Sequence, residues 1–430
     1  MAKTQDTTDT ATPGKKPAFK RLITRNILLL SLVSFFTDLS SEMLYPVMPL
    51  FFASIGISVV AMGVIEGAAE AVAGISKSFF GHLGDKLGRP EWFVRAGYGL
   101  SAFSKPLLGV AGGAVALIGI RSADRFGKGI RTAPRDAILS LESDRSARGR
   151  VFGFHRSLDT LGAALGPLIA LGLIAGFSLY DRLSHIFIYA LIPGIAAVAL
   201  TFMVRSQVSK PVIRWPMLKE ACRSYAGIFR PSLYPGDYKK LLIGLVLIGI
   251  FNSSDIFILL RASELLGSQQ QVFGIEIQNA VLVIGIYIIY NLVYAGLSLV
   301  GGIAADKYGF RNTLLAGLAA FTVTYSLLGQ NLSLGMVVVA FCIYGLFSAA
   351  NDAVVKAWIS TYLPKERLGS GLGVANTVIS LSFLVSSVAT GALWEWVSPS
   401  VALTTLAFGM LLPIMYLLWA MPARSRKEAL

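Results

Sequence analysis

The chain has 430 residues, of which 54% are hydrophobic and only 14% charged, and its formal net charge is +14. A soluble domain carries roughly a quarter charged residues, so the composition excludes an ordinary soluble protein and points to a polytopic membrane protein. Two cysteines, Cys222 and Cys342, exclude a disulfide framework or a cysteine metal cluster.

Residues 1–26 form a polar, basic tail with Lys15, Lys16, Lys20, Arg21 and Arg25. The apolar run after it is too long for the core of a signal peptide and is expected to stay as the first helix. A spanning helix needs about 20 mostly apolar residues. Runs of that kind predict spans at 27–53, 59–81, 92–112, 113–140, 150–176 and 184–205. A second set follows at 240–262, 278–302, 313–330, 335–360, 370–396 and 400–421. The expected fold is an all-α polytopic membrane protein of twelve transmembrane helices in two pseudo-symmetric six-helix bundles. The bundles cover 27–205 and 240–421, with a linker at 206–239 and a C-terminal tail at 422–430.

Lys and Arg fall in alternate loops, including Lys86 and Arg89, Arg145 to Arg150, the linker, Lys307 and Arg311, Lys365 and Arg367, and the C-terminal tail. The opposite loops hold only Arg182 and Arg261. The positive-inside rule then predicts both termini in the cytoplasm. It also assigns the basic excess to loops, so no nucleic-acid partner is expected. The linker carries Pro211, Pro216, Pro231 and Pro235 and is expected to hold one surface helix over 215–229. There is no H-E-x-x-H and no G-x-S-x-G, so no enzyme is expected.

Charge inside a membrane costs at least about 2.5–3.5 kcal/mol per group, so such residues should face a cavity or a partner. Asp38 and Glu42 lie one turn apart in the first span, as do Glu66 and Glu70 in the second. In the fourth, Arg121, Arg125 and Lys128 share a face, and Asp124 is spaced to pair with Arg121 or Lys128. Asp38, Glu42, Glu70, Arg121 and Arg125 are the candidates for proton coupling. Lys77, Arg95 and Arg135 lie near span ends and are expected to snorkel. Lys105 and the pair Arg156 and Asp159 fit structural ion pairs better than function. The second half is poorer in mid-membrane charge. Asn252 and Asp255 in the seventh span, with Tyr287 and Asn291 in the eighth, join Asp124 and Lys128 as candidates for a substrate cavity.

Two loops repeat. Gly81-His-Leu-Gly-Asp85-Lys86-Leu-Gly88-Arg89 follows the second span, and Gly302-Ile-Ala-Ala-Asp306-Lys307-Tyr-Gly309-Phe-Arg311 follows the eighth. They lie about 220 residues apart, which marks two halves of one design. A second pair of anchors, at Arg148-Gly149 and Leu368-Gly369, has nearly the same offset.

The first loop matches G-x-x-x-D-[RK]-x-G-R, and with the six-plus-six layout the chain resembles the major facilitator superfamily over residues 25–422. The second loop departs, with Phe310 at the Arg position. Arg125 to Gly129 is similar to the family's R-x-x-x-G pattern, and Gly162 to Gly166-Pro167 to its antiporter motif. Glu42 to Pro46 and Pro49 resembles the first span of proton-coupled drug exporters. The resemblance implies a secondary transporter that alternates access and, as the leading expectation, exports small amphipathic molecules against a proton gradient. No cofactor beyond that gradient is implied. The expected partners are a small solute, protons and lipids, for a monomer in a bacterial inner membrane. The loops are implied as braces between the halves. Gly81, Asp85, Lys86, Gly88, Arg89, Asp306, Lys307 and Arg311, with Gly166 and Pro167, are then gating residues. Asp85 would sit by Ser370 and Asp306 by Arg150. Two rivals stand beside this reading. One is a symporter or uniporter of an anionic metabolite held by Arg121, Arg125 and Lys128. The other is a transporter-like sensor with the linker as its output surface.

Overall fold

The computed structural model describes residues 23–87, 91–142, 148–177, 182–204, 215–272, 274–364 and 367–421. The first span is two helices, α1 (Arg25–Glu42) and α2 (Met48–Ser54). The second to fifth are α3 (Val59–Leu87), α4 (Glu91–Leu108), α5 (Ala114–Leu141) and α6 (Arg148–Phe177). The sixth is α7 (Ser184–Tyr189) and α8 (Leu191–Met203). After the linker helix α9 (Trp215–Tyr225), the seventh span is again divided, into α10 (Gly236–Phe251) and α11 (Ile256–Leu266). A hairpin of β1 (Gln269–Val272) and β2 (Ile275–Gln278) follows, in the register Gln269↔Gln278, with Gly274 at φ 79° in its turn. The rest is α12 (Asn279–Tyr308), α13 (Phe310–Leu328), α14 (Leu334–Thr361), α15 (Leu368–Trp396), α16 (Pro399–Gly409) and α17 (Leu411–Ala420).

Twelve helical segments thus lie where the sequence predicts spans. By length and composition alone, 8 of them are apolar enough to cross a membrane. The fourth falls short because α5 carries Arg121, Asp124, Arg125, Lys128 and Arg131. Four spans are divided: the sixth at Ala190 and the twelfth at Met410, each by a single residue, and the first and seventh by longer breaks. Thr24 caps α1 by accepting from the Ile27 N–H, and the helix ends at Glu42. Pro46 lacks an N–H and disfavours a helical residue before it, so the chain restarts at Met48 with Pro49 in the first turn of α2. The seventh span breaks at Asn252 to Asp255 without a proline. Asn, Ser and Asp side chains compete with the helix for backbone hydrogen bonds, and Asn252 is extended at φ −111°, ψ 103°.

The halves meet along two seams. One is α3 against α15, antiparallel over nearly their full length. Small residues make that approach possible: at Gly63, Gly67 and Gly74 of α3 a Cβ would collide with Ser387, Leu384 and Ser380 of α15. At the hairpin end the Val60 N–H donates to Glu395 Oε2 at 3.0 Å. The second seam is α6 against α12. Within the first half, α6 packs on α1 because Gly162 and Gly166 admit the Phe35 and Leu39 carbonyls. One continuous apolar core joins Met43, Val47 and Phe52 of the first half to Phe257, Tyr287, Phe321 and Tyr344 of the second.

The linker straps the other end. α9 and a 3-10 turn at Ala226–Phe229 occupy the stretch read as a surface helix. Tyr225 packs edge-on against Phe79 at 5.3 Å, and Ser224 lies 2.9 Å from His82 Nε2. Arg367 donates to the Leu233 carbonyl at 2.8 Å, so one segment touches both halves.

Candidate site between the two halves

The charges of the first half sort into two groups by packing. The first is sealed. Arg121 donates from Nε and Nη2 to both oxygens of Glu66, at 2.7 and 3.2 Å, and from Nη1 to Asp124 at 3.1 Å. Asp124 also accepts from the Ser101 hydroxyl at 2.5 Å. All three charged residues are buried. Lys105 is 2% exposed and donates to the Thr37 carbonyl and Ser40 Oγ, at 3.4 and 3.1 Å. A bidentate guanidinium–carboxylate pair is among the strongest polar contacts available to a buried group. It rivets α3, α4 and α5 together. Arg121 and Asp124 are expected in the coupling set and the cavity, respectively; the structure places both in this cluster, with Arg121 held between two carboxylates. The partner that sequence reasoning left out is Glu66, whose only signal was its place one turn before Glu70.

The second group faces the seam between the halves. Asp38, Arg156, Asp159, Thr160, Ala163 and Ala164 line a cavity of about 50 Å³ with Asn291 and Tyr294 of the second half. Arg156 donates to Asp159 at 2.9 Å, and Asp38 shares the cavity wall with Asp159. The Arg156 and Asp159 pair therefore belongs to the site rather than to a remote structural bridge. Further along α1, Glu42 accepts from the Tyr287 hydroxyl at 2.8 Å, a bond that crosses from one half to the other. Tyr45 stacks on Tyr287 at 5.8 Å, and Tyr290 and Tyr294 continue the row along α12 at 5.6 and 6.2 Å.

Glu70 lies within Coulomb reach of Lys77, Arg125 and Lys128. Among the described residues, no hydrogen bond or ion pair holds the side chains of Arg125 and Lys128. In the second half, Asp255 accepts from the Tyr344 hydroxyl at 2.6 Å, with Asn252 at the start of the same break. Asn291 donates to the Tyr287 carbonyl at 3.1 Å and lines the cavity.

The expected snorkelling residues divide. Arg95 spans Glu91, the Thr201 carbonyl and the Phe202 ring near a helix end, as expected. Arg135 instead pairs with Asp136 at 2.8 Å and donates to Ser34 at 2.9 Å, because α1 packs over it. Of the gating candidates, Gly166 packs α6 on Leu39 and Glu42 of α1, and Pro167 lies inside α6. Gly81 lies in α3, Lys307 sits 5.1 Å over the Tyr308 ring, and Arg311 Nε is buried without a hydrogen bond. The side chains of Asp85, Lys86 and Asp306, together with Gly88 and Arg89, lie outside the described residues. So do the expected contacts of Asp85 with Ser370 and of Asp306 with Arg150, and residues 1–22 and 422–430 of the tails.

The family model of the Major Facilitator Superfamily matches residues 30–290 and again 270–430. The chain belongs to the major facilitator superfamily. An uncharacterised MFS-type transporter of Methanocaldococcus jannaschii is 30% identical over 396 residues, 92% of this chain and 94% of that protein. A tetracenomycin C resistance and export protein of Streptomyces glaucescens is 27% identical over 131 residues, 29% of this chain and 24% of that one. Among solved structures, a peptide transporter superposes with a TM-score of 0.75 at 13% identity, covering 94% of this chain and 98% of that one. The protein is thus an MFS transporter.

Proposed function

We propose that this transporter is a proton-coupled exporter of small amphipathic molecules, set in the cytoplasmic membrane with both termini and the linker inside. The observation that carries the reading is the Glu42–Tyr287 bond. It ties a membrane-embedded carboxylate of one half to a hydroxyl of the other. A hydrogen bond to a charged group is worth about 1.5–3 kcal/mol, more than a neutral one. Protonating Glu42 removes the charge and weakens the tie, so the halves separate more readily. Releasing the proton restores it. The Asp38 and Asp159 carboxyls, which line the neighbouring cavity, provide a second holding place for a proton. Arg156 is positioned to stabilise the charge left on Asp159 when that proton leaves. Each proton crossing 100 mV contributes about 2.3 kcal/mol. The tyrosine row from Tyr45 to Tyr294 offers rings with polar edges, the surface that an amphipathic solute needs. The local likeness to an export protein supports the outward direction.

A second reading is favoured by one observation. The side chains of Arg125 and Lys128 are engaged in no hydrogen bond or ion pair among the described residues, which suits an anionic solute. Under this reading Arg121, already bound to Glu66 and Asp124, plays no part as a ligand.

The test is flux in proteoliposomes under an imposed pH gradient. Glu42→Gln and Asp38→Asn are expected to lose pH-driven flux of lipophilic solutes while keeping their unfolding temperature. Full flux in both variants would remove the coupling assignment. Flux of an organic anion that depends on Arg125 and Lys128 would install the second reading in its place.

A further inference from the structure

The break in the seventh span has features that the export reading does not use. α10 ends at Phe251 and α11 starts at Ile256, and the residues between are Asn252, Ser253, Ser254 and Asp255. No proline lies at the interruption, and the nearest glycine, Gly249, is still helical. Among the described residues, three buried oxygens at the break fall outside hydrogen-bond geometry to any partner: Asn252 Oδ1, Ser253 Oγ and Tyr325 Oη, the last two facing each other. Ser253 and Tyr325 are 0% exposed. The Tyr325 hydroxyl lies beside Ser253 and Tyr344, and Tyr344 donates to Asp255, so the orphan oxygens and a carboxylate share one place. The last turn of α10 points its carbonyls at the same break. Among the described residues its C-cap, Asn252, makes no capping N–H bond. Those carbonyls carry the negative end of the helix dipole.

Orphaned buried polar atoms are costly, and several together ask for a common partner. The acceptors settle its sign. An amide oxygen, a carboxylate and helix carbonyls can only accept, and the two hydroxyls can turn their lone pairs inward. Unwound backbone at a broken helix is the recurring way in which transporters hold a small cation. One carboxylate among neutral oxygens suits a single charge. The described residues contain no cluster of three His, Cys, Asp or Glu, so the set is not one for a transition metal.

We propose that the interrupted turn Asn252 to Asp255, together with Tyr325, is a binding site for a monovalent cation, sodium. The site would speak to both halves, because the Tyr45 hydroxyl of the first span reaches Ser254 and lies near Asp255. A cation there would neutralise Asp255 and order the turn on which Tyr45 rests. Sodium would then act beside the proton, on the half that is poor in charge. The inference is independent of the direction of transport and of the solute.

The experiment uses the full chain in nanodiscs. Equilibrium binding of radiolabelled sodium and the unfolding temperature are measured at constant ionic strength, with choline replacing sodium. Saturable binding and a sodium-specific rise in unfolding temperature are expected. Ser253→Ala, which removes one oxygen with little change in shape, should weaken binding by about tenfold, and Asp255→Asn should abolish it. Identical behaviour in sodium and choline overturns the proposal, and so does undiminished sodium binding in either folded variant. No solute flux enters the readout, so a failure here leaves proton-coupled export standing, and the loss of export leaves the sodium site standing.

Discussion

The first helix of each half breaks part-way, α1 at Glu42 and α10 at Phe251, and each break holds a carboxylate that accepts a tyrosine hydroxyl. Beyond that shared plan the halves diverge. The first fills its interior with charge: Glu66, Arg121 and Asp124 sealed among α3, α4 and α5, and Asp38, Asp159 and Arg156 along the seam. The second fills the corresponding space with rings, where Tyr290, Phe321, Tyr325, Tyr344 and Phe347 pack within 3.9 to 6.4 Å of their neighbours. The difference teaches that duplication preserved the backbone device and let the chemistry separate. A charged interior responds to protons. An aromatic one offers a stiff wall, with a carboxylate and buried hydroxyls where its first helix opens.

Substitutions can break this contrast, beginning with the largest effect. Arg121→Ala leaves Glu66 and Asp124 buried without their cation. Breaking such a cluster from one side costs about 3–5 kcal/mol, so the variant is expected to unfold at much lower temperature in detergent. A drop no larger than that of a seam variant would show the cluster to be less sealed than its geometry says. Tyr344→Phe is the matching change in the second half. It removes one hydrogen bond to a carboxylate, with an expected loss of about 1.5–3 kcal/mol, seen in the same thermal measurement.

Tyr287→Phe acts between the halves instead of within one. Its expected cost to the stability of either half is smaller, because the halves keep their separate cores. Its expected signature is a shift toward separated halves, read as a longer distance between labels on α6 and α12. An unchanged distance distribution would detach the Glu42 bond from gating. The smallest effect is expected for Arg156→Gln. The Arg156 side chain is 65% exposed, so its bond to Asp159 is screened and contributes about 0–1 kcal/mol to stability. Its expected consequence lies in the pH dependence of flux, and a large loss of stability would return the pair to a purely structural role.

Much of this was legible in the chain. A charge among apolar residues is expensive in a membrane, so Asp38, Glu42 and Arg121 stood out without any structure. Apolar runs of spanning length gave the twelve segments, and the repeated Gly–Asp–Lys–Gly loop gave the twofold plan. Spacing could offer Asp124 to Arg121 because both lie on one helix face. It could not offer Glu66, which approaches from another helix, or join Asp38 to Asp159, which meet only because Gly162 and Gly166 let α6 close on α1. The seventh-span break carried only a faint mark, the run Asn252 to Asp255, since a helix tolerates polar residues when neighbours satisfy them.

The sequence by itself determined the solvent, the number of crossings and the duplication, because these follow from hydrophobicity and period along one dimension. The tertiary structure alone decided which charges are spent on holding helices together and which remain at the seam. That division depends on distances between helices far apart in the chain, set by small residues and ring packing that no local pattern encodes.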